Sequence, residues 1–184
     1  GDERIQVLDE GSAVDVYQDR KGNLWAGLYV NGLVKIQPDG KRKVYFEGMS
    51  PFAISEDKDG YIWVTLSRKG VWRLDPATGA QTEVDGSILY GCDMEYAGDY
   101  IYVASSEGCY VIYDNDKVRR LCEGYVVDIC VDRQGYIWVA GGDVSPGLTV
   151  ISPSGTLLPD IPGVFDKTPM MAVTEDSEGN IWAM

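Results

Sequence analysis

The sequence predicts an all-β fold, a β-propeller built of four-stranded antiparallel blades. A seven-residue pattern, Asp-Xaa-Xaa-Gly-Asn/Tyr-Leu/Ile-Trp, recurs along the 184 residues, with one weaker copy near the middle. The aromatic residue that ends each copy moves forward in steps of 38, 39, 36 and 44 residues, the period of a propeller blade. The 22 glycines, and the preference for valine, isoleucine and tyrosine over strong helix formers, agree with short strands and tight turns. The five aromatic residues are Trp25, Trp63, Tyr102, Trp138 and Trp182.

Each repeat is expected to hold four strands, and the second repeat shows the pattern most clearly. Its predicted strands are 52–56, 61–66, 70–74 and 81–84, with a tight turn at 57–60. Third strands elsewhere are expected to begin at Gly32, Gly108 and Gly147. The second strands are almost continuously apolar, which is typical of strands covered on both faces. In a propeller, the neighbouring blades provide that cover.

The repeats divide the chain into one partial propeller over residues 1–184. Residues 1–11 are expected to form an outer strand of a preceding blade, because Arg4–Leu8 aligns with the outer strands of later repeats. We expect an incomplete propeller with an exposed sheet edge that is prone to pair with another copy of the chain. The repeats cover about 12–48, 50–86, 89–123 and 125–163, followed by a truncated repeat at 169–184.

The repeated Asp and Gly are interpreted as turn residues. The segment 57–60 resembles part of a calcium loop, but Ser55 lies where a first acidic ligand is needed and no bidentate Glu follows. The simpler interpretation is that Asp closes the turn through its side chain while Gly adopts a positive φ. The tryptophans, at one repeated position of a buried strand, are expected to pack between blades. In the third repeat Asp99 stands in place of the turn Gly, so that turn is expected to differ.

Composition argues against several classes of partner and cofactor. The formal charge of -13, with only 16 basic residues, opposes binding to nucleic acid. No apolar run approaches the roughly 20 residues that cross a bilayer. Four cysteines without Cys-Xaa-Xaa-Cys spacing, and no histidine, oppose a zinc site. We therefore predict no metal and no cofactor.

An apolar strand ending in Glu-Asp, then Gly-Asn/Tyr-Ile-Trp, then Gly-Leu/Val at the next strand, resembles the two-component regulator propeller repeat. Such repeats form the periplasmic sensor region of hybrid two-component histidine kinases, common in gut bacteria that forage on polysaccharides. The resemblance implies a periplasmic ligand-sensing module without catalytic residues, with carbohydrate as the ligand class by family. It also implies that the parent chain continues into further blades, a connecting β-domain, a transmembrane helix and kinase parts. Contact with a membrane would come only through those parts.

Two alternatives stay open at this point. Streptogramin lyases and related propeller hydrolases have similar repeats, but the lyases need a catalytic histidine, which this chain lacks. Paired carboxylates provide acid and base chemistry in other enzymes, and Glu107, Asp143 and Asp166 are predicted on loops of one face. A protein-interaction scaffold is the other alternative, although its Gly-His, Trp-Asp or Gly-Gly pairs are absent from the repeated positions.

Two cysteines are predicted to face each other. A two-residue hairpin turn at Asn115-Asp116, closed by Asp114 and Lys117, places Cys109 opposite Cys122 in a non-hydrogen-bonded pair. A strained cross-strand disulfide is one outcome, and four buried thiols are the other. The remaining cysteines, Cys92 and Cys130, are not expected to pair with each other.

The ligand face is predicted from the loops. In a four-strand meander, the loops between second and third strands lie on the same side as the connections between blades. Those loops are more varied and more aromatic than the Asp-Gly turns opposite, and variable loops on a regular scaffold usually carry binding. Aromatic rings beside polar groups suit the faces and hydroxyls of a sugar. The predicted ligand contacts are Tyr29, Arg68, Tyr90 and Tyr125.

Overall fold

The computed structural model describes residues 11–114, 116–142, 147–159 and 168–184. Every regular element in these ranges is a β-strand, and the strands form five antiparallel sheets. Nothing in the same ranges forms a helix of the length and apolarity that a membrane span requires. The predicted outer strand at Arg4–Leu8 lies outside the described residues.

Three sheets contain four strands each, in meander order. Blade 1 contains β1 (Ala13–Gln18), β2 (Leu24–Leu28), β3 (Gly32–Ile36) and β4 (Arg42–Tyr45). Blade 2 contains β5 (Pro51–Glu56), β6 (Ile62–Leu66), β7 (Gly70–Leu74) and β8 (Gln81–Asp85). Blade 3 contains β9 (Gly91–Ala97), β10 (Tyr100–Ser105), β11 (Gly108–Tyr113) and β12 (Lys117–Glu123).

The last two sheets are smaller within the described residues. Blade 4 contains β13 (Val126–Val131), β14 (Ile137–Gly141) and β15 (Leu148–Ile151), and a single bridge joins Ile151 to Leu157. Blade 5 contains β16 (Val173–Glu175) and β17 (Ile181–Ala183). The first strands of consecutive blades contact each other, as they do around the axis of a propeller. The predicted all-β propeller with an incomplete set of blades is confirmed.

Most of the hydrophobic core is divided into clusters that lie between blades, and one small cluster lies within blade 1. In the first cluster, Trp25 and Leu33 of blade 1 pack against Ile54 and Ile62 of blade 2. Similar clusters join blades 2 and 3, blades 3 and 4, and blades 4 and 5. All five residues of β6 are buried, as expected for a strand covered on both faces. The predicted packing of tryptophans between blades is confirmed for Trp25 and Trp63.

Arginines that follow the turn Asp also connect neighbouring blades. The Arg20 guanidinium lies 3.1 Å from a Glu56 carboxylate oxygen and donates hydrogen bonds to the carbonyls of Asp57 and Lys58. Blade 4 repeats this arrangement towards blade 5, where the Arg133 guanidinium bonds to the carbonyls of Asp176 and Ser177. These contacts hold the Asp-Gly turns of adjacent blades side by side.

Gly70 shows why glycine begins the third strand. Its φ is 76°, and a Cβ atom there would overlap the carbonyl oxygen of Asp85 on the adjacent outer strand. Any larger residue would combine backbone strain with a clash against a main-chain atom. The glycine therefore lets β8 pair closely with β7 at the end of the blade that carries the β6–β7 loop.

Two turns of blade 3 differ from the regular repeat. The first hairpin pairs Ala97 with Tyr100 and turns through Gly98 and Asp99, so it is shorter than the turns of the other blades. At the second hairpin the predicted closing pair of Asp114 and Lys117 is wrong, because Lys117 pairs with Tyr113. A register shift between Tyr110 and Cys109 then compensates for the difference of one residue.

Candidate functional site

The repeated Asp closes its turn with both carboxylate oxygens. In blade 2, Oδ1 of Asp57 accepts hydrogen bonds from the backbone N–H groups of Asp59 and Tyr61, each at 3.0 Å. The other oxygen, Oδ2, accepts the indole N–H of Trp63 at 2.7 Å. Gly60 has a φ of 86°. The interpretation of Asp and Gly as turn residues is confirmed, and the bond to the indole is an addition to it.

The same Asp–Trp bond occurs in blades 1, 4 and 5, at 2.8 Å in each. In blade 1, burial raises the pKa of Asp19, but hydrogen bonds from Trp25 and Asn23 outweigh it and the pKa lies below its usual value. A carboxylate held in this way has its oxygens occupied by donors of its own turn. The Asp-Gly turns of the regular blades therefore have a structural role.

The opposite side is formed by the loops from which the ligand face was predicted. Ser50, between β4 and β5, accepts the N–H of Ser67 on the β6–β7 loop at 3.0 Å. Its hydroxyl accepts the N–H of Val30, on the β2–β3 loop, at 2.9 Å. Connections between blades and loops within blades thus lie on one side, as predicted. We call this side the loop side and the other the turn side.

The structure brings two of the predicted contact residues together directly. Nε of Arg68 donates a hydrogen bond to the hydroxyl of Tyr90 at 2.9 Å, and its guanidinium lies 5.9 Å from the centre of the Tyr90 ring. The two residues belong to loops of blades 2 and 3. Their contact joins a cation, a hydroxyl and an aromatic ring at one exposed place.

Tyr125 and Tyr29 lie at other places on the loop side. The Tyr125 hydroxyl lies beside the thiol of Cys92, two residues beyond Tyr90, so Tyr125 borders the same group of loops. Tyr29 is on the β2–β3 loop of blade 1, and its backbone N–H bonds to the carbonyl of Ser12. The three tyrosines are between 40% and 54% exposed, so their rings are open to a ligand.

Non-glycine residues with positive φ occur at the β11–β12 turn of blade 3, at Asp114 and Asp116, and at several places on the loop side. Val30, Arg68 and Tyr90 have φ values of 55°, 57° and 52°, in the left-handed region that favours glycine. Val30 and Arg68 are at equivalent places in the β2–β3 and β6–β7 loops. Non-glycine residues in this region cost of order 1–3 kcal/mol and cluster at functional sites. The strain is an indication of function that sequence reasoning missed.

The cysteine register is as predicted. The Cα atoms of Cys109 and Cys122 are partners across β11 and β12, and both residues are free thiols. Burial raises the pKa of each thiol, well above its usual value for Cys109. The disulfide between them stays a prediction, which intact mass with and without reductant will test.

Carboxylates on the first strands connect consecutive blades near the axis. Asp93 accepts the backbone N–H of Ile129 at 3.0 Å, and Asp128 accepts that of Val173 at 2.6 Å. Asp15 accepts the N–H of Ile54 at 2.8 Å in the same manner. The sequence alone did not predict these carboxylates. The feature they share in the sequence is an Asp at the third position of three first strands.

Two carboxylates of the first strand β9, Asp93 and Glu95, have strongly raised pKa values. Burial, together with the adjacent Asp128, raises the pKa of Asp93 to about 7. Burial raises the pKa of Glu95 to about 6, although its carboxylate accepts the N–H of Val131. Both groups therefore hold a proton more firmly in the folded chain than in the unfolded chain.

Of the three carboxylates considered for an enzyme, only one lies in the described residues. Glu107 is exposed on the β10–β11 loop, where its backbone N–H bonds to the hydroxyl of Ser105 at 3.2 Å. Asp143 and Asp166 lie outside the described residues. Within the part of the chain that the structure describes, no group of three or more acidic or thiol side chains has the geometry to hold a metal ion.

The chain is similar to one protein family in sequence and to several solved proteins in structure. The sequence profile of the two component regulator propeller family matches residues 120–143, from β12 of blade 3 through β14 of blade 4. A comparison with curated proteins finds no match. PorZ, a surface component of the type-IX secretion system of Porphyromonas gingivalis, has a similar structure. It is 16% identical, with a TM-score of 0.73 over 97% of this chain and 32% of PorZ.

Two further solved structures are similar at low identity. The extracellular domain of a hybrid two-component system of B. thetaiotaomicron is 16% identical, with a TM-score of 0.72 over 92% of this chain and 26% of that one. A gluconolactonase of Xanthomonas campestris is 19% identical, with a TM-score of 0.64 over 92% and 67%. The chain spans a third or less of the first two proteins. It has a β-propeller fold, and its residues 120–143 match the two component regulator propeller repeat, which confirms the resemblance drawn from its sequence.

Proposed function

We propose that this chain is the extracytoplasmic, ligand-sensing propeller of a two-component sensor, and that it responds to carbohydrate. The family match at residues 120–143 is the observation that carries the proposal. The similar extracellular domain of a B. thetaiotaomicron hybrid two-component system supports it. In this proposal the parent protein is a histidine kinase with the propeller in the periplasm, and the chain itself has no catalytic role.

The proposed contact surface is the loop side, around Arg68 and Tyr90. A guanidinium donates hydrogen bonds to sugar hydroxyls, and an exposed tyrosine ring packs against the apolar face of a sugar. The strained backbone at both residues supports a binding role, because a strained loop is retained where its geometry is used. Tyr125 borders this surface, and Tyr29 extends the loop side at blade 1.

Replacing Arg68 by Gly separates binding from stability. Because the φ of Arg68 is 57°, glycine relieves strain while it removes the guanidinium that bonds to Tyr90. We expect Arg68→Gly to weaken binding of the best saccharide in an oligosaccharide panel at least about tenfold, while the melting temperature is unchanged or raised. Isothermal titration and thermal unfolding measure the two effects.

Lys69→Ala is the matched control, because Lys69 is the next residue of the same loop and its removal also deletes one positive charge. This variant should bind as the wild type does. Tyr125→Ala should weaken binding without loss of folding. Unchanged affinity in both Arg68→Gly and Tyr125→Ala would place the carbohydrate site elsewhere.

A further inference from the structure

Blade 3 lacks the Asp–Trp bond of the regular blades and carries a group of tyrosines instead. Tyr102 occupies the position of Trp25 and Trp63 on the second strand. The ring centre of Tyr100 lies 6.2 Å from that of Tyr102 and 6.5 Å from that of Tyr113. The shortened β9–β10 turn leaves Tyr100 45% exposed. Three rings thus meet at the turn side of the blade.

Among the described residues, blade 3 lacks the cation that covers the equivalent ring in blades 1 and 2, as does blade 4, where Val150 is opposite Trp138. In blade 1 the ammonium of Lys35 lies 5.2 Å from the centre of the Trp25 ring, and in blade 2 the Arg73 guanidinium lies 5.3 Å from that of Trp63. Both cations come from the third strand, directly opposite the ring. The equivalent residue in blade 3 is Val111, which leaves Tyr102 without a cation from its own hairpin.

A cleft lies between blades 3 and 4, beside these rings. Its volume is about 240 Å³, and it opens on the turn side. The guanidinium of Arg119, the residue beside Val111 on the outer strand, lies at one wall. A Cβ atom on Gly155 would lie 2.5 Å from an Arg119 nitrogen, so glycine leaves room for this side chain. The polar and aromatic lining residues are Tyr100, Tyr102, Tyr113, Arg119 and Ser154.

The cleft is unusual for so acidic a protein. The chain has a net charge of -13, yet the cleft lining has one arginine and no carboxylate among the described residues. Within those residues Arg119 makes no ion pair. Glu95, the Cα partner of Tyr102, is held by the N–H of Val131 at 2.7 Å. A guanidinium beside aromatic rings, with no carboxylate partner among the described residues, is suited to a carboxylate on a ligand.

We propose that this cleft binds a hexuronate, a single sugar ring that carries a carboxylate. Arg119 pairs with the carboxylate, the Tyr100 and Tyr113 rings face the apolar side of the sugar, and Ser154 bonds to a hydroxyl. The cleft is smaller than the roughly 300–1,000 Å³ of typical ligand pockets, which favours one ring over an oligosaccharide. This site is on the opposite side of the propeller from Arg68, and it stands whether or not the loop side binds a ligand.

The neighbouring cleft between blades 2 and 3 provides an internal comparison. It is larger, at about 360 Å³, but its lining contains more acidic than basic residues. An anionic sugar is repelled there and attracted to the Arg119 cleft. Its acidic lining residues are Asp57, Asp59, Asp99, Asp114 and Asp116.

The test compares two sugars that differ only at C6. D-glucuronate and D-glucose are titrated into the 15N-labelled chain, and amide shifts are followed by NMR. We expect glucuronate to shift the amides of β10–β12 and 152–156 saturably, and glucose to bind at least about tenfold more weakly. Arg119→Gln should remove this preference. Arg120→Gln is the matched control, because Arg120 is next on the same strand, lies outside the cleft lining and pairs with Glu123.

The outcomes are distinct from those of the loop-side test. Equal binding of glucuronate and glucose, or wild-type preference in Arg119→Gln, would overturn the assignment. Benzoate that binds in the cleft where glucuronate does not would overturn the sugar class. Glucuronate binding that Arg68→Gly removes and Arg119→Gln leaves intact would belong to the loop side and would also refute the cleft.

Discussion

Asp19→Ala is expected to lower the free energy of unfolding by about 3–5 kcal/mol. The Asp19 carboxylate accepts the indole N–H of Trp25 at 2.8 Å, the side-chain amide of Asn23 at 2.7 Å, and the backbone N–H groups of Asn23 and Lys21. Trp25 is fully buried between blades 1 and 2, so water cannot replace the lost acceptor. Urea unfolding followed by tryptophan fluorescence measures the change.

Asp176→Ala is the matched control for this prediction. Asp176 makes the same bonds to Asn180 and Trp182, but Trp182 is 58% exposed and water can take over as acceptor. We expect this variant to unfold close to the wild type. Equal destabilisation by the two substitutions would contradict the view that burial of the Asp–Trp bond, rather than the bond alone, stabilises the blades.

Stability is expected to fall as pH rises from about 4 to about 7, because of Asp93 and Glu95. Their folded pKa values, about 7 and about 6, lie above those of free carboxyl groups. In that range the folded chain holds protons that the unfolded chain has lost, so raising the pH favours unfolding. The carboxylates whose pKa values are lowered, such as Asp19 and Asp75, act in the opposite direction only at lower pH.

Asp93→Asn isolates the larger contribution. Asparagine keeps an acceptor for the N–H of Ile129 and removes the charge beside Asp128. We expect the gain in stability of the variant over the wild type to be larger at pH 8 than at pH 5 by about 1–3 kcal/mol. Asp99→Asn, at an exposed residue that pairs with Lys58, is the control for removal of one negative charge. A gain that is equal at both pH values would mean that Asp93 does not bind the proton.

The regular blades were predictable because each local signal agreed with the others. The alternation of an apolar strand, an Asp-Gly turn and a second apolar strand defined β5, β6 and β7 to within a residue. The turn chemistry of Asp57 and Gly60 followed from residue type alone. The register that places Cys109 opposite Cys122 was also predicted, although through a wrong closing pair at the hairpin.

The features that distinguish one blade from another were harder to predict from the sequence. Whether Asp93 reaches the N–H of Ile129 depends on the distance between two blades, which no local pattern encodes. The strain at Val30 and Arg68 is a property of the backbone, and the sequence shows an ordinary residue at each place. The Arg119 cleft has one signal in the sequence, the replacement of Trp by Tyr102. That Arg119 lies beside Val111, and so near the Tyr102 ring, is known only once the strands are paired.

The most direct test of the sensor proposal observes binding and turnover in one sample. The chain is incubated with a panel of saccharides and aldonolactones, and NMR follows both line broadening of the ligand and the appearance of product. The sensor proposal predicts that at least one saccharide binds saturably and that every compound is recovered unchanged. Catalysed opening of a lactone, as in the gluconolactonases that share the fold, or a panel with no saccharide bound would contradict it.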